Sequence, residues 1–513
     1  MSGPLDARSQ KPCVAIVGAG FAGLRAAEVL LKHGCTVAIF EARNRVGGRL
    51  CQARVGPHLV DMGPNWVHGT QDNPVFELLK STGTLTHNLP DDEITFAPNG
   101  TLLCEDEAEY LNDSSAEIDA NLSLLDYIKQ NVEEKVKDYL DDKIKGQDDE
   151  ANVERLKDLV VKLAELWGGY TGATPCQQSL RFLWLEECLE EETLFCAGTH
   201  AKVLDIVSKA ALDGADVKFG HIVNRICSRS QKGGKVTVET RDGGKEDFDE
   251  VVVTCPLGWL KKNTNMFQPE LPPRISQAVA NLGYGKLDKV YITFQQAWWE
   301  KMKEPSATAG PTAGSDSRLS QKVEKGHYPT YTTFITPNYA QETNPENLYQ
   351  DCINLAALPK GTEHPTLLFY TSGSTSDYVA EIMSRSRSSS TSDTSSSPLA
   401  ADLWQIFEPY VSRLPNYKAG QGDCIPVDIL ATGWTSDEFA GFGSYTGFPV
   451  GSTDCDKDIE ALRDGVGLVE RGVWLAGEHT APFEFSATIT GAYISGEKVA
   501  ERILDAWSLK DKQ

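Results

Sequence analysis

The chain has 513 residues, more than one hydrophobic core ordinarily supports, so two sequential or interleaved domains are expected. At 40% hydrophobic and 24% charged residues it reads as globular, which excludes a mainly disordered, collagen-like or disulfide-scaffold chain. Its 49 Lys and Arg against 73 Asp and Glu leave a formal charge of −24, which argues against nucleic acid or an anionic membrane as the main partner and suits a cationic ligand.

Residues 1–12 lack the apolar stretch of a secretory signal and are read as a disordered N-terminus. No apolar run approaches the roughly 18 residues of a membrane helix. The ending Lys510-Asp511-Lys512-Gln513 matches neither a peroxisomal address nor a lipidation box. Twelve cysteines include no C-x-x-C, so most read as buried thiols, with no metal site and the cytosol as the expected compartment.

Val14 to Val17 is a β-branched run that predicts a buried strand. Gly18-Ala19-Gly20-Phe21-Ala22-Gly23 follows, then a helical pattern over Leu24 to His33, closed by Gly34. A second strand, Thr36 to Phe40, ends at Glu41. In such a βαβ unit Gly18 permits the tight turn, Gly20 lets the backbone approach a pyrophosphate, and Gly23 lets helix and strand pack closely. The helix N-terminus offers free N–H groups to phosphates, and Glu41, 18 residues past Gly23, can bind a ribose diol. The alternative is a glycine-rich turn in an ordinary α/β sheet.

Glu41-Ala42-Arg43-Asn44-Arg45-Val46-Gly47-Gly48-Arg49 continues from the second strand. Two glycines and an arginine here serve no purpose in a nicotinamide site, but they let backbone pass close to a larger cofactor and supply a planar cation. The stretch resembles the E-A-R-x-R-x-G-G-R motif of the flavin-dependent amine oxidases. Asp61-Met62-Gly63-Pro64-Asn65-Trp66-Val67-His68-Gly69 is similar to the segment that passes the flavin ring in polyamine oxidases. Val473 to Thr480, with Gly477 and Glu478, resembles the family's strand and G-E-H-T element. Gly491 to Gly496 then opens a last amphipathic helix, whose start can direct N–H groups at the pyrimidine end of a flavin.

The resemblance implies an α/β fold, in which a Rossmann-like FAD-binding domain (13–88, 195–286 and 424–513) is interleaved with an α+β substrate-binding domain (89–194 and 287–423). It implies non-covalent FAD, held by Gly18, Gly20, Phe21, Ala22, Gly23, Glu41, Ala42, Arg43, Gly48, Arg49, Gly63, Pro64, Asn65, Trp66, Val223, Trp434, Gly477, Glu478, Thr488, Ile489 and Ala492. Lys289, in Gly283-Tyr284-Gly285-Lys286-Leu287-Asp288-Lys289-Val290, resembles the family lysine that holds a water against flavin N5; Lys286 is a nearby decoy. His68 is the second catalytic candidate, at a place where polyamine oxidases carry Glu or His. Trp66, His68 and Tyr493 are expected to meet substrate, with Tyr493 and Trp434 as aromatic walls. Thr490 stands where relatives often have His.

Residues from about Leu89 to Leu194 are helical in pattern and acidic, and the insertion from Leu287 to Asp423 is rich in aromatic and β-branched residues. The Ser-rich stretch within 374–398 and the segment Ser306 to Gly326 are read as loops, the former disordered. Two acidic clusters, Glu105-Asp106-Glu107 with Glu109, and Glu186, Glu187 and Glu190 to Glu192, are solvated faces or rails for a cationic substrate. The expected activity is oxidation of spermine, spermidine or their acetylated forms by hydride transfer to flavin N5, with O2 yielding H2O2. Monoamine oxidases, amino acid oxidases and histone lysine demethylases are alternatives within the family. A demethylase would be expected to carry a helical domain before the first strand and a coiled-coil insertion. A GTPase-escort binding protein is the non-catalytic alternative. Oligomeric state has no signal in the sequence.

Overall fold

The computed structural model describes residues 11–89, 93–96, 119–143, 150–186, 192–231, 233–301, 328–387 and 398–509. Residues 1–10, Ser306 to Gly326, the 388–397 part of the Ser-rich stretch, the Glu105 to Glu109 cluster, and Glu187, Glu190 and Glu191 lie outside the described residues. Pro12, expected to be disordered, is buried, and its carbonyl accepts the Thr36 N–H at 3.2 Å.

Strand β1 (Cys13–Val17), helix α1 (Phe21–Lys32) and strand β2 (Thr36–Glu41) form the expected unit, with β1 and β2 parallel in register from Cys13 opposite Thr36 to Val17 opposite Phe40. They lie inside a five-stranded parallel sheet in the order Val473–Leu475, Glu250–Val253, β1, β2, Asp216–Phe219. Alternation along β1 divides two cores: Val14 and Ile16 face one, Ala15 and Val17 the other. Both faces are covered, as a parallel sheet requires. Gly23 matters here for close approach, because a Cβ on it would lie 2.1 Å from the Gly18 carbonyl oxygen. On the outer side α1 packs on the long C-terminal helix Ile489–Ala506.

A second sheet has six strands in the order Asp428–Ala431, Leu287–Thr293, Thr366–Ser372, Gln350–Asn354, Tyr331–Phe334, Glu93–Phe96. Its pairs are antiparallel except the last. One face is apolar and covered by helices Gly373–Arg387 and Pro398–Val411, through Val379, Ile382, Leu403 and Phe407. The opposite face carries Lys289, Tyr370 and Asp351 into a cavity. Parallel α/β and mixed α+β parts thus make up the fold, as the α/β class expected from sequence requires.

Three further details differ from the sequence reading. Residues 374–387, taken into the disordered loop, belong to helix Gly373–Arg387, whose Val379, Ala380 and Ile382 reach the core. Serine weakens a helix only modestly, and these apolar residues anchor it. Asp428–Ala431 pairs with Leu287–Thr293, so the six-stranded sheet continues past the boundary drawn at 423. Glu93–Phe96, in the stretch read as helical, is an edge strand. Among the described residues, no helix is long and apolar enough to cross a membrane.

Candidate active site

A cavity of about 1200 Å³ runs from the β1–α1 turn to the face of the six-stranded sheet. Small-ligand pockets usually hold about 300–1,000 Å³, so this one has room for a dinucleotide and a second molecule. Gly18, Gly20, Phe21 and Ala22 line its first end. Helix α1 has Gly20 as its N-cap and no side-chain cap, so the first-turn N–H groups are left to a ligand. Glu41 closes this end. Its carboxylate accepts the Ala19 and Arg43 N–H groups, each at 2.8 Å, which fixes it beside the turn. Ala42, Arg43 and Val223 also line the wall, and Arg43 grips Asp437 through two bonds of 3.1 and 2.8 Å.

The middle of the cavity joins the two ends of the chain. Arg49 donates to Tyr284 Oη at 3.2 Å, to Glu478 Oε1 at 3.1 Å and to the Ser444 carbonyl. Gly48, Gly477, Thr488, Ile489 and Ala492 line the same region, and Thr488 caps the last helix by accepting the Gly491 N–H at 3.0 Å. An uncapped helix start, a fixed acid at a strand end and a partly buried arginine together fit a dinucleotide with an extended ring.

Gly63, Pro64, Asn65 and Trp66 pass the centre, opposite Lys289. Lys289 Nζ donates to the Gly63 carbonyl and to Asn65 Oδ1, and sits 5.2 Å from the Tyr370 ring centroid. Tyr370 Oη donates to Asn65 Oδ1 at 2.7 Å and accepts from Trp66 Nε1 at 3.2 Å. Burial lowers the lysine pKa to about 7, although Asp61, Cys51 and Asp288 pull it back upward. Asp288 faces the other way and fixes Trp434 by accepting its N–H at 2.7 Å; the indole donates to the Met62 carbonyl at 3.1 Å.

His68 lines the cavity from strand Trp66–His68, exposed to its interior, and burial among protein atoms lowers its pKa. Lys286 pairs with Asp377 at 2.8 Å and is half exposed, which removes it as a rival of Lys289. Gly23 lies behind the turn and packs helix on strand rather than lining the cavity. Tyr493 is a correction: it does not line the cavity. Its ring packs 5.5 Å from Phe21 and 4.7 Å from the Arg25 guanidinium, in the seam between α1 and the last helix. Thr490, in the usual place of a His, is buried and donates to Asn73 Oδ1 at 3.0 Å.

Several lining residues escaped the sequence reading. Tyr370, Asp351 and Thr333 lie in an insertion that the sequence marked only as rich in aromatic and β-branched residues, and nothing in a single strand says which face meets a ligand. Asp437 and Tyr284 are found only through their long-range bonds to the two arginines. Asp61, Cys196 and His200 gather within 4.8 Å of one another. Hydrogen bonds account for Asp61: its carboxylate accepts His200 N and Nδ1 at 3.0 and 2.9 Å and Gln52 Nε2 at 2.6 Å.

Residues 21–365 and 402–504 match the flavin containing amine oxidoreductases, and the chain belongs to that family. A lysine-specific histone demethylase 1 homolog 2 of Oryza sativa subsp. japonica is 26% identical over 96% of this chain, which spans 57% of that protein. The peroxisomal N(1)-acetyl-spermine/spermidine oxidase of Homo sapiens is 24% identical, covering 98% of this chain and 96% of its own. Polyamine oxidase 2 of Arabidopsis thaliana is also 24% identical, over 98% and 91%. The chain therefore spans little more than half of the first relative and nearly all of the other two.

Proposed function

We propose that this protein is an FAD-dependent oxidase of polyamines, acting on spermine, spermidine or their N-acetylated forms. Lys289 carries the reading: a buried amine with its pKa lowered to about 7, set in the cavity wall opposite the Gly63 to Trp66 segment. FAD bound in this cavity would supply a hydride acceptor for the carbon beside a neutral amine, and with O2 as final electron acceptor and water for the imine the products would be H2O2, an aldehyde and an amine. The protein's part is to bind, orient and exclude water.

Glu41 is suited to the ribose, the start of α1 to the pyrophosphate, and Arg49, Glu478 and the start of the last helix to the ring end. Trp66 and Trp434 wall the ring. Neutral Lys289 holds a water or accepts a proton through Nζ. His68, whose pKa desolvation lowers, suits an acetylated or less charged part of the substrate better than a carboxylate would. The near full-length match to two polyamine oxidases supports this substrate class. The histone demethylase relatives favour a second reading, methylated lysine in a peptide.

The deciding experiment mixes FAD-loaded protein anaerobically with polyamines, acetylated polyamines, monoamines, amino acids and a methyl-lysine peptide. Polyamines should bleach the visible flavin band fastest and release peroxide when air is admitted. No bleaching by any polyamine would overturn the reading. Acid precipitation should leave the flavin in the supernatant, as non-covalent binding requires. The cytosol is the proposed compartment, supported by ten free cysteines among the described residues; a peroxisomal signal on cell fractionation would refute it.

A further inference from the structure

Three directly opposed pairs run across the cavity face of the six-stranded sheet: Lys289 opposite Tyr370, Tyr370 opposite Asp351, and Asp351 opposite Thr333. Opposed residues share a face, and all four line the cavity. They form one row, with an amine at one end and a carboxylate two strands away. At about 4.8 Å per strand, the Lys289 and Asp351 backbones are roughly 10 Å apart.

The row is braced. Thr333 Oγ1 donates to Asp351 Oδ1 at 2.8 Å, and Gln350 Nε2 ties the Asp351 carbonyl at 2.9 Å to that of Tyr370. The charges that act most on Lys289 are those of Asp61, Cys51 and Asp288. The other cavity carboxylates are placed differently. Glu41 holds two backbone N–H groups, Glu478 holds Arg49, and Glu186 accepts the Trp167 indole at 3.0 Å.

We propose that Asp351 anchors the distal ammonium of a substrate bearing two positive centres, and so sets the distance between that centre and the nitrogen being oxidised. The Tyr370 ring lies between them as a platform for the alkyl spacer. The inference rests on the amine oxidase reading above and adds a ruler to it: the substrate is a linear amine whose second charge lies one spacer beyond the reacting carbon, and a chain ending in a methyl group lacks the anchor.

The test uses FAD-loaded protein and N-alkyl diamines of increasing spacer length, each paired with an analogue in which the terminal amine is replaced by methyl. Asp351→Asn should lower kcat/KM for the diamines by about 10- to 100-fold, mostly through KM, the loss of one charge-assisted hydrogen bond. The methyl-ended analogues should stay within about twofold, since they never used the bond. Asp351→Glu should keep activity and move the preferred spacer toward shorter chains; it carries the test alone if Asp351→Asn does not retain flavin absorbance. Equal losses for diamines and analogues, or an unchanged spacer preference in Asp351→Glu, overturn the anchor while leaving the oxidase intact. A wild-type protein that oxidises no amine overturns both.

Discussion

An ammonium buried in a cavity wall loses much of its solvation, and at Lys289 that loss outweighs the nearby acidic groups. The consequence for stability has a definite sign. The unfolded lysine titrates near 10.4, so between about pH 7 and 10 the unfolded chain holds more protons and stability rises with pH. Below about pH 7 both states are charged and the full penalty of burying the charge remains. Lys289→Met should lose this upward slope, measured as urea midpoints against pH, and should slow flavin reduction or reoxidation sharply while FAD stays bound. Unchanged rates in both half-reactions would remove Lys289 from the mechanism. Its candidacy was legible because the glycines and strand around it resemble a family motif; its hydrogen bonds to Gly63 and Asn65, more than two hundred residues away, were not. Tyr493 shows the opposite failure. It is one residue, about 100° around a helix, from cavity-lining Ala492, and no local pattern distinguishes an aromatic facing a ligand from one facing a neighbouring helix.

At the scale of elements, the seam between α1 and the C-terminal helix positions the dinucleotide end of the cavity. A Cβ on Gly496 would lie 2.1 Å from the Ala22 carbonyl oxygen, and Ala22 lines the cavity. Arg25 ties the same helices through Glu497 and lies over Tyr493. Gly496→Ala should therefore cost about 1–3 kcal/mol in urea unfolding through overpacking and should also weaken FAD binding; a variant as stable as wild type would deny the seam its role. The βαβ unit could be read directly, since the continuous apolar run of β1 and the glycine spacing belong to one short stretch. Of the six-stranded sheet only an aromatic and β-branched composition could be read, and its edge strand Glu93–Phe96 was read as helical. Its order brings Asp428–Ala431 beside Leu287–Thr293, and that pairing has no local signature.

For the whole molecule, the formal charge of −24 is a field as well as a solubility device. A polycationic substrate is drawn toward such a body from beyond contact distance, and dissolved salt shortens that reach. Raising ionic strength should increase KM by roughly two- to tenfold with kcat little changed. A KM flat with salt would show that encounter is not steered. The two-domain expectation followed from length alone, and the flavin family from motifs at both ends of the chain.

The Arg49–Glu478 bond has a further consequence for the making of the protein, because its partners are 429 residues apart. Translation delivers the arginine well before the glutamate. A cradle that needs both partners can close only once both segments have been made.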